Sequence, residues 1–346
     1  MLYSLARPLL FALDGERAHS LTLAGLDLSS KLGVSRFIAG RAVQAPHQVM
    51  GLQFPNAVGL AAGLDKNGDH VDSLSKLGFG FIEVGTVTPR PQPGNVPKRL
   101  FRIIRARALI NRMGFNNHGV ERLAANVRAA RYTGIIGVNI GKNFDTPIER
   151  ALEDYVYCLR TVYDFASYVA INISSPNTQN LRSLQEGVAL ENLLAGIARE
   201  RDLLTRTQGR RVPLAVKIAP DLDEADVRHA AEVACRYDID AIIATNTTIS
   251  RAGVENLPHA SEAGGLSGAP LHARSTEIVQ LLADSLAGQL PIIAVGGIMC
   301  GADALEKISA GASLVQLYTG LIYRGPNLIS ECARALATAP GFAQVN

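Results

Sequence analysis

Cysteine is scarce and scattered in this chain. Cys158, Cys235, Cys300 and Cys332 form no Cys-x-x-Cys pair and have no histidine at ligand spacing. That argues against structural zinc, leaves no metal ligand set to expect, and points to a reducing compartment. Charge of one sign is lacking too. The 34 Lys and Arg are mixed among 31 Asp and Glu with no basic block, so nucleic acid is not an expected partner. Long hydrophobic runs are absent. The longest stretch without Asp, Glu, Lys or Arg, Ala42 to Leu64, contains Pro46 and Pro55, which would break a spanning helix. Near the start, the apolar run Leu9 to Leu13 is too short for a signal peptide, so a cytoplasmic placement is expected. Several catalytic templates are missing as well: no Gly-x-Gly-x-x-Gly after a strand, no Gly-x-Ser-x-Gly elbow, no Walker loop, no His-Glu-x-x-His and no paired carboxylates at strand ends.

What is present is an alternation. With 47% hydrophobic and 19% charged residues, the 346-residue chain is of globular composition. A (β/α)8 barrel takes about 250 residues, leaving roughly 100 for an extension and insertions. Strands are expected at Ala57–Leu60, Gly80–Val84, Ile135–Ile140, Tyr168–Ile173, Pro213–Ile218, Ala241–Ala244, Pro291–Val295 and Ser313–Leu317. Amphipathic stretches such as Val120–Arg131, Pro147–Ala166, Glu224–Arg236 and Thr276–Leu286 lie between them. The strands are near-continuous apolar runs, as when helices cover a parallel sheet, and eight units suit closure into an α/β TIM barrel. Leu100–Arg112 and Ile249–Gly268 are longer than a βα loop needs and read as lids or binding loops.

The first forty residues differ in kind. Leu2, Leu5, Leu9 and Leu13 recur at helical spacing, Asp14 is placed as an N-cap with Glu16 in the first turn, and a second apolar set (Leu21, Leu23, Leu26, Leu28, Leu32) ends at Gly33, a C′ candidate. The division expected is an extension over residues 1–40 and a barrel over 41–346. Two readings of the extension stand side by side. Its helices either cap the barrel or carry an exposed apolar face for a membrane or a greasy ligand.

Catalytic groups of barrel enzymes lie at the C-terminal strand ends. Here those ends offer small residues (Ala61, Ala62, Gly63) that let a flat ring approach the backbone, and Gly296-Gly297 with Thr319-Gly320 where barrels bind phosphate. Five amides, Asn111, Asn139, Asn172, Asn177 and Asn246, suit a planar ligand bearing both N–H and C=O groups. Lys66 could hold a carboxylate, and Lys217, in an apolar strand, would be costly to bury without an anionic partner. No histidine falls at a strand end, which leaves Ser175 as the acid–base candidate, with Thr178 as the first link of a relay to water.

Taken together, these residues resemble the quinone-dependent class 2 dihydroorotate dehydrogenases. The likeness rests on Gly59–Lys66, Gly85–Asn95, Asn111–Asn117, Asn172–Thr178, Val216–Asp221 and Gly264–Gly268, in order along the chain. It implies FMN as cofactor, held by Ala61, Ala62, Gly63, Lys66, Thr86, Asn139, Asn172, Lys217, Thr245, Gly268, Gly297, Tyr318 and Thr319. It implies dihydroorotate as substrate and orotate as product, in pyrimidine biosynthesis. Lys66, Asn111, Arg112, Met113, Gly114, Phe115, Asn172, Asn177, Asn246 and Thr247 would hold the substrate, with Ser175 as the base. Class 1 enzymes carry Cys at the serine position and lack the extension. The resemblance further implies a membrane quinone as electron acceptor, with His19 and Arg102 as candidate contacts. It implies peripheral attachment through the N-terminal helices to the cytoplasmic side of a bacterial inner membrane. Two departures stand out: Asn56-Ala57 where the family has Asn-Pro, and Met299-Cys300 where it has Asp-Ser, a change expected to remove the polar N-cap of the next helix. The competing readings are a soluble flavin barrel using fumarate or NAD, and a non-enzymatic flavin scaffold.

Overall fold

The computed structural model of the chain describes residues 2–34, 38 and 42–339. Eight strands close into a barrel: β1 (Val58–Leu60), β2 (Phe81–Val87), β3 (Ile135–Ile140), β4 (Tyr168–Asn172), β5 (Leu214–Ile218), β6 (Ala241–Ala244), β7 (Ile292–Val295) and β8 (Leu314–Leu317). All eight pair in parallel with their sequence neighbours, and β8 pairs with β1. This is the (β/α)8 architecture expected. β3 and β6 fall on the expected residues, and the others differ by one to three residues at an end.

The largest difference is at β2, which runs on through Gly85-Thr86-Val87 instead of ending at Val84. Pairing with β3 continues there past a register shift, with Gly85 opposite Asn139 and Val87 opposite Ile140. Both long connections contain strands, two in Leu100–Arg112 and one at the end of Ile249–Gly268, whose earlier part is turns and loop. Leu100–Ile103 and Ala108–Asn111 form a hairpin, and Gly265–Gly268 pairs with its second strand, giving a three-stranded antiparallel sheet. Gly265–Gly268 lies far in sequence from Ala108–Asn111, so no local pattern could announce that pairing.

Inside the barrel, size is matched across strands. A Cβ on Gly137 would lie 2.1 Å from the Tyr168 ring, and one on Gly59 would lie 2.2 Å from the Phe81 ring. The two glycines leave the barrel lumen to these two rings, whose centroids are 6.3 Å apart. Above them lies a buried polar layer that carries the chemistry of the mouth.

At the N-terminus, α1 (Leu2–Ala12) and α2 (Gly15–Lys31) form as expected. The Asp14 carboxylate accepts from the N–H groups of Glu16 (3.0 Å) and Arg17 (3.2 Å), and Gly33 follows the C-cap at φ 71°. A cap of this kind contributes about 1 kcal/mol. The expected boundary at residues 40 and 41 and the Leu2 side chain lie outside the described residues. Leu5, Leu9, Leu13, Leu21, Leu28 and Leu32 face outward, whereas Leu23 is buried. Capping the barrel therefore leaves most of these leucines uncovered.

Candidate active site

A cavity opens at the C-terminal end of the barrel. It gathers residues from seven strand ends and from the antiparallel sheet: Ala61, Ala62, Gly63 and Lys66 after β1; Thr86 in β2; Asn172 at the end of β4, with Ser175 and Asn177 after it; Lys217 in β5; Thr245, Asn246 and Thr247 after β6; Gly297 after β7; Tyr318 and Thr319 after β8. Asn111, Met113, Gly114, Phe115 and Gly268 complete the wall.

Two predicted contacts stand apart. Arg112 is turned away, its guanidinium 2.7 Å from Glu262 and stacked 4.5 Å from the Phe101 ring centroid. Asn139 is fully buried behind the cavity wall, where its Oδ1 accepts from Thr86 Oγ1 (2.5 Å) and Asn172 Nδ2 (3.2 Å). Sequence reasoning missed Gln316 and Ser267, which also line the cavity, and Glu83 beneath it. The available signal was a single polar residue in an otherwise apolar strand: Phe-Ile-Glu-Val in β2 and Leu-Val-Gln-Leu in β8.

The amides are cross-linked. Asn172 Nδ2 donates to Thr86 Oγ1 (2.8 Å), while Asn246 Nδ2 donates to Asn172 Oδ1 (3.3 Å) and Ser174 Oγ (3.0 Å). Across the mouth, Asn177 Nδ2 donates to the Asn111 carbonyl (3.1 Å). Ser175 Oγ accepts from the Asn177 N–H at 3.2 Å, and Thr178 Oγ1 is buried without a partner. No hydrogen bond joins the Ser175 and Thr178 hydroxyls among the described contacts, so a relay between them needs an intervening atom.

Two ammonium groups look into this cavity. Lys217, opposite Asn172 in the β4–β5 register, is buried; desolvation lowers its pKa, and the carboxylate of Glu83 opposes that shift. The protein thus supplies part of the counter-charge that the apolar strand seemed to lack. Lys66 is pushed down to about 8, first by burial and then by Arg99.

The model of the dihydroorotate dehydrogenase family matches residues 45–339. The chain belongs to the dihydroorotate dehydrogenase family. It is 60% identical over 337 residues to the dihydroorotate dehydrogenase (quinone) of Thiobacillus denitrificans, covering 97% of this chain and 100% of that protein. It is 59% identical to the Methylococcus capsulatus protein of the same name, covering 97% and 99%. A crystal structure of the Eimeria tenella enzyme in complex with ferulenol superposes with a TM-score of 0.83 at 38% identity, covering 90% of each chain.

Within this family, the departure at Met299-Cys300 is compensated. Asp303 Oδ2 accepts from the N–H groups of Met299 (2.6 Å) and Cys300 (3.1 Å), and Glu331 Oε1 accepts from Gly301 N–H (3.0 Å). The N-cap, Cys300, makes no side-chain cap hydrogen bond, as expected, but the first N–H groups of the helix that follows β7 keep acidic acceptors. Asp303, three positions on in the first turn, supplies the reciprocal half of a capping box by accepting from the N-cap N–H, which is not the bond a polar N-cap side chain would make.

A second cavity lies between α2 and the barrel mouth. It shares Lys66, Asn111, Met113, Ser267 and Tyr318 with the first. His19 lines it, with its pKa lowered to about 4 by burial and by the charges of Lys66 and His70, so the imidazole is neutral at pH 7. Arg102 does not line it. Its guanidinium donates to the carbonyls of Phe11 (3.2 Å) and Leu13 (2.7 Å) and lies 4.9 Å from the Phe11 ring centroid, clamping the end of α1. The two residues expected to meet a quinone are thus at different places. An apolar cluster of Leu109, Met299 and Tyr323, with Phe11, Leu100 and Tyr318 packed on it, joins the base of α1 to the cavity wall.

Proposed function

We propose that the chain oxidises (S)-dihydroorotate to orotate with FMN and passes the electrons to a membrane quinone, as a peripheral enzyme on the cytoplasmic side of a bacterial inner membrane. The observation that carries this reading is one cavity in which Ser175, four asparagine amides and two ammonium groups converge. Residues fit for FMN are present. Lys217 has no carboxylate within 4 Å among the described ion pairs, Gln316 Oε1 is buried without a partner, and a Cβ on Gly297 would fall 2.3 Å from His272 Cα, so only bare backbone fits at the end expected to take the phosphate. When bound, FMN supplies a two-electron acceptor for the hydride that leaves substrate C6.

The chain's own groups do the rest. Lys66 holds the substrate carboxylate, and the asparagine amides match its ring N–H and C=O groups. Ser175 takes the C5 proton and hands it on through Thr178 towards water. Lys217 balances negative charge that develops on the cofactor ring. Attachment to the bilayer uses the outward leucines, of which Leu5 is 76% and Leu9 75% exposed. No helix among the described residues is long and apolar enough to cross a membrane.

The test is spectroscopic. Purified holoenzyme should bleach when dihydroorotate is added without oxygen, and quinone should restore the colour where fumarate and NAD do not. A flavin that stays oxidised under dihydroorotate rejects the reading.

Two further outcomes are expected. Lys217→Met should lower the flavin reduction potential or weaken FMN retention, checked by redox titration and by flavin content; a normal potential at full occupancy removes its electrostatic role. For Lys66, burial has lowered the amine, so its charge is present below about pH 8 and lost above it. Orotate binding should therefore weaken above that pH, approaching tenfold per pH unit. Lys66→Met should give weak binding that no longer depends on pH over this range, as calorimetric titration would show.

A further inference from the structure

The buried carboxylate of Glu83 has no part in the chemistry above, yet the site hangs from it. Glu83 sits in the middle of β2, fully enclosed in the barrel lumen. Asn139 Nδ2 donates to its Oε1 (2.8 Å), while Tyr168 Oη (2.7 Å) and Gln316 Nε2 (2.7 Å) donate to its Oε2. Every partner is a donor, which is the set that an accepting carboxylate takes.

A carboxylate only accepts, so it dictates which way round its amide neighbours stand. Asn139 must turn its NH2 towards Glu83 and its oxygen towards Thr86 and Asn172. Asn172 must then spend its NH2 on Asn139 and Thr86, leaving its oxygen to accept from Asn246 and Ser174. The same logic turns the NH2 of Gln316 inward and leaves Gln316 Oε1 as the buried, unpaired acceptor at the cavity wall. One anion thus orders a chain of amides that ends beside the loop carrying Ser175.

We infer that Glu83 is a positioning residue, which sets the donor and acceptor sense of Asn139, Asn172, Asn246 and Gln316 and places a fixed negative charge beneath the cofactor site. The inference rests on the flavin reading given above. Glu83→Gln is the sharpest probe, because a neutral amide has one accepting and one donating end. If its NH2 faces Asn139, that amide reverses and the ladder above it loses its sense. If its NH2 faces Gln316, the acceptor at the cavity wall becomes a donor. Either way a buried group meets a like group, and orotate or FMN affinity should fall ~10-fold or more. Removing the negative charge should also raise the flavin potential, because the reduced flavin bears more negative charge than the oxidised form.

Tyr168→Phe is the companion variant. It deletes one donor to Glu83 while keeping the charge and the Asn139 bond, so the carboxylate is less neutralised. The flavin potential should fall, with orotate affinity within about twofold of wild type. Opposite potential shifts in the two variants are the expected result in full-length holoenzyme, read by redox titration and orotate titration. Glu83→Asp, which retains the charge, should keep the potential near wild type. Potentials unchanged in both Glu83→Gln and Tyr168→Phe, or shifted in the same direction, overturn the inference. Should Glu83→Gln not accumulate as holoenzyme, the Tyr168→Phe potential decides alone, and no fall overturns it. Bleaching of the wild-type flavin by dihydroorotate is scored separately, so failure of the flavin reading is distinguishable from failure of the role of Glu83.

Discussion

Replacing Ser175 with alanine is expected to slow reduction of the flavin by dihydroorotate about 10²–10⁴-fold, the range contributed by a positioned general base. The structure gives this residue few other duties. Its Oγ accepts one hydrogen bond, from the Asn177 N–H at 3.2 Å, and its side chain faces the cavity rather than the hydrophobic core. Orotate binding should persist, because Lys66 and the amides of Asn111, Asn172, Asn177 and Asn246 are untouched. A serine hydroxyl is a weak base at neutral pH, so the proton must move on. In the proposed relay the receiving end is the unpaired Thr178 Oγ1, buried close by in the same loop and reached through an intervening atom such as water. Stopped-flow measurement at saturating dihydroorotate checks the prediction. A reduction rate equal to wild type would reduce Ser175 to a turn residue.

The second large effect concerns the extension. Deleting residues 1–40 should abolish turnover with a long-tailed quinone and release the protein from membranes, while dihydroorotate still bleaches the flavin. The substrate is polar and reaches the mouth from water, but a quinone tail must travel from lipid to the cofactor without crossing water. In the proposed attachment the lipid contact comes from the outward leucines: Leu5 and Leu9 on α1, Leu28 (59% exposed) at the end of α2, and Leu32 (66% exposed) just after it. Burying apolar area returns about 25 cal/mol per Å², enough for reversible attachment by several leucines. The cluster of Phe11, Tyr323, Leu109, Leu100 and Tyr318 continues an apolar path inward. Because α2 also packs on the barrel through Glu16–Arg99 (2.9 Å) and Asp27–His70 (2.7 Å), a gentler variant is useful. Replacing Leu5, Leu9, Leu28 and Leu32 with serine should weaken vesicle flotation while leaving the barrel and its docking pairs intact. A truncated enzyme that turns over a long-tailed quinone in detergent at the normal rate would falsify the proposed route.

Much of this protein was legible in its sequence because the determining forces are local or periodic. Apolar runs such as Ile135–Ile140 and Ala241–Ala244 must be buried on both faces, and eight of them separated by amphipathic stretches leave little besides a closed parallel barrel. Asp14 and Gly33 mark the ends of α2 because capping is settled within a turn of chain. The cavity residues were legible for a related reason: in a barrel, strand ends meet at one face whatever fills the loops.

Three things needed tertiary structure. The two long connections pair with each other as an antiparallel sheet, which depends on Ala108–Asn111 and Gly265–Gly268 meeting across the mouth. Side-chain direction was invisible as well: Arg112, next to Asn111 in sequence, turns to Glu262, and Arg102 is drawn to the α1 carbonyls instead of the cavity that His19 lines. Finally, a lone glutamate in Phe-Ile-Glu-Val carries no sign of its partners. Glu83, Asn139, Tyr168 and Gln316 come from four different strands, and only barrel closure brings them close enough for one carboxylate to orient two amides and a phenol. Periodicity reports which face of an element is buried, whereas hydrogen-bond direction between distant strands is settled only when those strands are packed side by side.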